Sequence, residues 1–232
     1  MREVMPELQH TRTYYEQQLR KLKDKLLIMS SKAEIMISDS IRSFVHRRPA
    51  LAEAVITGDD DMDQLEVEID NLCYELLALE QPLACDLRFI ATAVKIVKDL
   101  ERIGDLAVNI SERALELAEQ PQLKPMVDLR TMAGAAQKML KESLDAFVNS
   151  DVESAENIIF NDKIVDAMYE QMFRKLLTYM LEDPRSVSAA LKLIFIAKHL
   201  ERVGDHSANI AEMVVFLVKG QDIRHGAHAH HA

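Results

Sequence analysis

Tryptophan is absent from this 232-residue chain, glycine and proline number six each, and aromatic residues make up 5%. A many-stranded sheet needs more of each for its turns and cross-strand pairs, which excludes an all-β fold. The only cysteines, Cys73 and Cys85, form no CxxC or Cys/His pattern. They read as reduced core thiols, not as a disulfide frame or a zinc ligand set. Apolar runs are short: Met213 to Val218 spans six residues, against roughly 20 for a helix that crosses a bilayer. No charged-then-apolar leader opens the sequence, so a cytoplasmic protein is expected. Positive charge is also scarce, with 28 Lys+Arg against 38 Asp+Glu and a net charge of −10. Binding dominated by nucleic-acid phosphates is thereby excluded, because it needs clustered Lys and Arg. Also missing are a phosphate-cradling Gly-rich loop, a Walker motif and any Ser/His/Asp order.

What remains is helix-forming. Hydrophobic residues reach 48%, with 12 Met, enough for a sizeable core of helices. The breakers fall where a bundle has its corners: Arg47-Arg48-Pro49, Gly58-Asp59, Gln81-Pro82, Asp183-Pro184, and Gly220 as a C-terminal cap. Pro121 and Pro125 bracket the segment Gln120 to Pro125, the best linker candidate. Six helices are predicted in an all-α fold of two tandem three-helix bundles. The first unit takes residues 1–120 and the second 126–220, followed by a disordered His-rich tail at 221–232.

Internal repetition supports that division. Lys98-Asp-Leu-Glu-Arg-Ile-Gly-Asp-Leu-Ala-Val-Asn-Ile110 returns as Lys198-His-Leu-Glu-Arg-Val-Gly-Asp-His-Ser-Ala-Asn-Ile210, with eight of thirteen positions identical at an offset of 100. At an offset of 103, Phe44, Val45, Glu53, Ile56, Asp59 and Asp63 return as Phe147, Val148, Glu156, Ile159, Asp162 and Asp166.

At about 100° per residue, Phe89, Ala93, Ile96, Leu100, Ile103, Ala107 and Ile110 form one apolar stripe, suited to packing on a neighbouring helix. A second stripe, about 120° away, runs Ile90, Val94 and Val97 and then turns acidic at Glu101 and Asp105; the second copy does the same at Glu201 and Asp205. Like charges one helical turn apart repel, so something must offset them. One reading is a hard cation held by oxygen ligands; the other is a bridge from Arg102, Arg202 or a neighbouring Lys. Asp59 with Asp63, and Asp162 with Asp166, are further i,i+4 pairs on the middle helix of each unit. They complete each cluster if that helix runs antiparallel to the third, or else mark a helix start. Gly104 and Gly204, tolerated in mid-helix, leave room for a neighbouring backbone or a bound ion.

At these residues the chain resembles the PhoU family of bacterial phosphate-signalling regulators. The likeness spans nearly the whole chain: Leu-Glu-Arg-(Ile/Val)-Gly-Asp in both copies, Gln81-Pro82 before Asp86-Leu87-Arg88, Glu182-Asp183-Pro184, and Asn209-Ile-Ala-Glu212 with Gly220. The resemblance implies two similar three-helix bundles and no catalysis. It also implies multinuclear metal clusters, iron or zinc, on Glu/Asp-x-x-x-Asp motifs. Carried onto this sequence, the ligands are Glu101, Asp105, Glu201 and Asp205, with Asp59, Asp63, Asp162 and Asp166. Manganese or magnesium also suits such oxygen donors. The implied role is repression of the phosphate-starvation response, coupling the ATPase of a Pst-type phosphate ABC transporter to a PhoR-like sensor histidine kinase. Membrane association would then be peripheral, through these partners, and a homodimer is expected. Leu106 departs from the family pattern where His206 stands in the second copy, which suggests unequal sites.

A helical di-metal carboxylate oxidase, a metal-storage protein and an unliganded scaffold are the competing readings. The oxidase would need two Glu-x-x-His motifs, and only Glu7-x-x-His10 occurs. His225, His228, His230 and His231 read as a loose terminus, His199 and His206 as ordinary histidines beside the motif, and Tyr14-Tyr15 with Arg20, Lys21, Lys23 and Lys25 as a solvated face.

Overall fold

The computed structural model describes residues 6–79, 84–120, 123 and 129–223, with side chains from residue 14 onward. Among the described residues there is no strand. The helices are α1 Pro6–Val45, α2 Pro49–Thr57, α3 Asp60–Leu79, α4 Ala84–Ala118, α5 Leu129–Asn149, α6 Val152–Glu182 and α7 Val187–Lys219, with a 3-10 turn at Pro184–Ser186. Six helices were expected; seven segments appear because Gly58-Asp59 breaks the middle helix of the first unit. Its counterpart in α6 is Asn161, and α6 runs on without interruption. The corner at Gln81-Pro82, residues 121, 122 and 124–128 of the linker region and the histidine tail past Ile223 lie outside the described residues, as do the side chains of Glu7 and His10.

In the first unit α1 packs on α2, α3 and α4; in the second α5, α6 and α7 pack on one another; α4 lies along α7, and α1 touches α5. The stripe read from the sequence is the buried one: Ala93, Ile96, Leu100, Ile103, Ala107 and Ile110 are sealed from solvent, as are Leu200, Val203 and Ile210. Ile90 and Val97 are sealed too, because α4 packs against helices of both units. Cys73 belongs to this core, where burial, then the Asp70 charge, pushes its thiol up to about 12; Cys85, also expected there, is exposed in the first turn of α4 instead. Among the described residues no helix is long and apolar enough to cross a membrane.

Helix ends repeat as well. Arg47 and Ser150 adopt the left-handed region (φ 49° and 53°) at an offset of 103. Behind each, the next amide donates to a carbonyl five residues back, Arg48 N to Ser43 O and Asp151 N to Ala146 O, both at 2.9 Å. This is the Schellman arrangement, without its usual glycine. The Arg47 guanidinium then crosses to the end of α4 and donates to the carbonyls of Leu117, Ala118 and Gln120. Gly220 (φ 71°) caps α7 as expected. Arg88 packs its guanidinium 3.0 Å from the position of a Cβ at Gly220 and donates to Leu217 O.

Gly134, exposed within α5, has nothing within 4 Å of a would-be Cβ. Gly134→Ala is therefore expected to stabilise the protein by about 1 kcal/mol, the helix-propensity difference with no steric offset. Equilibrium denaturation in urea checks it, and an unchanged midpoint refutes it.

Candidate metal centre

The offset of the repeats puts the acids of each middle helix opposite those of the following one. In the first unit, Asp63 and Glu66 on α3 and Glu101 on α4 each bring a carboxylate oxygen within 4.8 Å of the others; in the second, Asp162 and Asp166 on α6 and Asp205 on α7 do the same. Of the remaining predicted residues, Asp59 faces Asp63 and Asp105 electrostatically. Glu201 similarly faces Asp162, Asp166 and Asp205. All eight expected residues thus lie in two clusters, although the two convergent trios are not the same set.

Glycine makes this approach possible. A Cβ at Gly104 would sit 3.4 Å from Asp59 Oδ1, and one at Gly204 would sit 3.3 Å from Asp162 Oδ1. In both units the missing side chain is the space into which a carboxylate leans. Helix start explains Asp60, Asp61 and Asp63, which occupy the first turn of α3, but not Asp162, ten residues inside α6.

Crowding raises the proton affinity of these groups. Burial, reinforced by Asp63 and Asp105, lifts Asp59 to about 6. Burial, reinforced by Asp205 and Asp166, lifts Asp162 to about 6. Glu101, Asp166 and Asp205 are raised from the same first cause, with neighbouring acids second. Asp162 Oδ1 is shielded from solvent and, among the described residues, has no hydrogen-bond partner.

Cations answer part of this charge, and unequally. Arg102 lies 2.8 Å from Asp105 Oδ2 and 3.4 Å from Glu101 Oε2. Lys98 lies 2.5 Å from Glu66 and 3.3 Å from Asp70. In the second unit Lys198 turns to Glu201 at 2.6 Å and sits 5.3 Å from the centre of the Tyr169 ring. The arginine bridge considered from the sequence therefore exists in the first unit, while no ion pair joins Arg202 to Glu201 or Asp205 among the described residues.

Sequence reading missed Glu66, Asp70 and Lys98. At an offset of 103 Glu66 and Asp70 correspond to Tyr169 and Phe173, so comparison of the copies hid them. The available signal was spacing: Glu66 follows Asp63 by three and Asp70 follows Glu66 by four, one continuous helix face. His206 bears on its cluster electrostatically, through Asp205, while its ring is engaged elsewhere. Its Nδ1 lies 2.8 Å from Asp99 Oδ1 across the α4–α7 seam, beside Asn209 Nδ2 at 3.2 Å from the same oxygen. Leu106, its counterpart, is buried.

An oxygen-only donor set, a shielded carboxylate oxygen without a partner and glycine-made space suit a hard, multiply charged cation. The residues that would hold it are Asp63, Glu66 and Glu101 in one unit and Asp162, Asp166 and Asp205 in the other. When bound, the ion would supply the counter-charge that the second trio lacks and that Lys98 and Arg102 supply in part to the first.

A family model described as the PhoU domain matches residues 26–114 and again 129–214. The chain is 40% identical over 217 residues to the phosphate-specific transport system accessory protein PhoU homolog of Pseudomonas aeruginosa, covering 93% of this chain and 90% of that protein. It is 37% identical over 216 residues to the PhoU accessory protein of Escherichia coli, covering 93% and 90%. The crystal structure of PhoU from Pseudomonas aeruginosa superposes with a TM-score of 0.86 at 40% identity, covering 89% of this chain and 100% of that one. The phosphate transport system regulatory protein PhoU of Streptococcus pneumoniae gives 0.82 at 27% identity, covering 90% and 98%. With two copies of the domain in tandem and such likeness along nearly its full length, the chain belongs to the PhoU family.

Proposed function

We propose that this protein, a non-enzymatic accessory factor of phosphate transport, binds metal ions in its two acidic clusters and uses its helical surfaces to relay transporter state to gene regulation. The observation that carries the metal reading is the duplicated cluster, in which a glycine opposite an aspartate brings carboxylates together that repel one another without a counter-ion. The ions are iron or zinc in multinuclear clusters, or manganese or magnesium. The partners follow from family membership: the ATPase of a Pst-type phosphate transporter and a PhoR-like sensor histidine kinase. In this reading the protein works in the cytoplasm as a homodimer, represses the phosphate-starvation response, and meets the membrane only through its partners.

A di-metal oxidase is disfavoured by the ligands. Each convergent trio lies between two helices and contains no histidine, whereas such oxidases place Glu-x-x-His ligands inside a four-helix bundle.

Metal content of protein purified without chelator tests the first part. The Glu101→Ala/Asp105→Ala and Glu201→Ala/Asp205→Ala forms are each expected to lose roughly half of the metal carried by the parent; equal content in all three refutes the reading. For the second part, deletion of the protein is expected to switch on phosphate-starvation genes in phosphate-rich medium, and unchanged expression counts against it.

A further inference from the structure

We propose that the two clusters fill in order, the second unit's before the first's, because Lys98 and Arg102 already occupy the first as internal counter-ions. The inference rests on the metal reading above and concerns how this chain's own cations regulate that site.

In the first trio, two of three carboxylates are already ion-paired: Glu66 with Lys98 at 2.5 Å and Glu101 with Arg102 at 3.4 Å. Arg102 also holds Asp105 at 2.8 Å. In the second trio, none of Asp162, Asp166 and Asp205 is in an ion pair among the described residues, and Asp162 Oδ1 has no hydrogen-bond partner. The nearby cation, Lys198, is engaged by Glu201.

The difference has a sequence cause. Tyr169 stands where the first unit has Glu66, and Phe173 where it has Asp70. Without those acids Lys198 cannot bridge the helices as Lys98 does, so it bonds within its own helix and lies over the Tyr169 ring. A dication entering the first trio must displace two cations; one entering the second meets Lys198 only as a neighbour of Asp166 and Asp205, already held by Glu201. Lys98 and Arg102 keep 56% and 58% of their side-chain surface in water, so both pairs are of the weak, screened kind. The resulting gap in affinity is roughly tenfold and not several orders of magnitude.

The experiment is a titration of the metal-stripped full chain with Mn2+ alone, free ion being counted by electron paramagnetic resonance. Expected are two classes of site with dissociation constants about tenfold apart. Asp166→Asn/Asp205→Asn should erase the tighter class and Glu66→Gln/Glu101→Gln the weaker. Lys98→Gln/Arg102→Gln should narrow the gap to about threefold or less by strengthening the weaker class. A single class in the parent, survival of the tighter class in Asp166→Asn/Asp205→Asn, or an unchanged gap in Lys98→Gln/Arg102→Gln would each overturn the ordering. Absence of Mn2+ uptake by every form is a separate result, which overturns the metal reading and the ordering with it.

Discussion

Acidifying the metal-free protein from about pH 7.5 to about pH 5 is expected to raise its melting temperature. Asp59 and Asp162 titrate at about 6 in the folded chain against an ordinary value of 3.8. Between those values the folded state holds protons that the unfolded state has released, so stability falls as pH rises through the window. The contribution is fully present below about 3.8 and gone above about 6. Each shift taken at face value would amount to about 3 kcal/mol, but both groups are only partly buried, and water screens them to about 1 kcal/mol each. Over the whole window that is about 2 kcal/mol together; acidification to about pH 5 crosses a little under half of it and gains about 1 kcal/mol, or roughly 2–4 °C for a chain of this size. Below about pH 4 the trend reverses. Glu68 held by Lys25, Asp151 by Ser154 and Asp183 by Arg185 all sit below their usual range, so the stability their charged forms supply is lost as the pH falls through those lowered values. Saturating Mn2+ should invert the first effect, because an ion that binds the charged carboxylates is released as they protonate. Melting curves followed by circular dichroism, with chelator and with Mn2+, check both directions. A steady fall in stability from pH 7.5 to 5 with chelator would refute the account.

Gly204→Leu is expected to destabilise the fold by about 2 kcal/mol and to abolish metal uptake by the second cluster. The first added carbon would already lie 3.3 Å from Asp162 Oδ1 and 3.5 Å from Val165 Cγ1, so the rest of the side chain can enter only by driving α6 away. Overpacking of that kind costs about 1–3 kcal/mol, and the gain in helix propensity returns no more than about 1 kcal/mol. Gly104→Leu should also destabilise, since a Cβ there would lie 3.2 Å from Cγ of the fully buried Met62 and 3.4 Å from Asp59 Oδ1. Urea denaturation with chelator present measures both variants, and a Gly204→Leu protein as stable as the parent would show the space to be unused.

Much of this was legible in the residues. The stripe from Ala93 to Ile110 became the buried face of α4, and the duplication set Asp59 and Asp162 at matching places, although their approach to Gly104 and Gly204 is seen only in the folded chain. Other features were closed to such reading for physical reasons. Periodicity shows that α4 has two buried faces but not that one of them meets α7, because a stripe does not name its partner. Left-handed backbone at Arg47 and Ser150 has no compositional mark, since these are not residues that favour it. Glu66 and Asp70 escaped because they distinguish the copies, Tyr169 and Phe173 standing in their places, whereas repetition marks only what the copies share.

The α4–α7 seam also sets a schedule for synthesis. Its two sides are joined by Arg88 to Leu217, by Lys95 over the ring of Phe216, by Glu116 to Lys192 and by Asp99 to His206. Roughly a hundred residues separate the end of α4 from the end of α7. A ribosome adding about 5–20 residues per second therefore delivers the second side about 5–20 s after the first. Throughout that interval the first unit can complete its own three-helix contacts, yet the face of α4 destined for α7 stays uncovered. The nascent chain passes through a half-built stage with an open apolar edge, and this is the period in which a chaperone would find it.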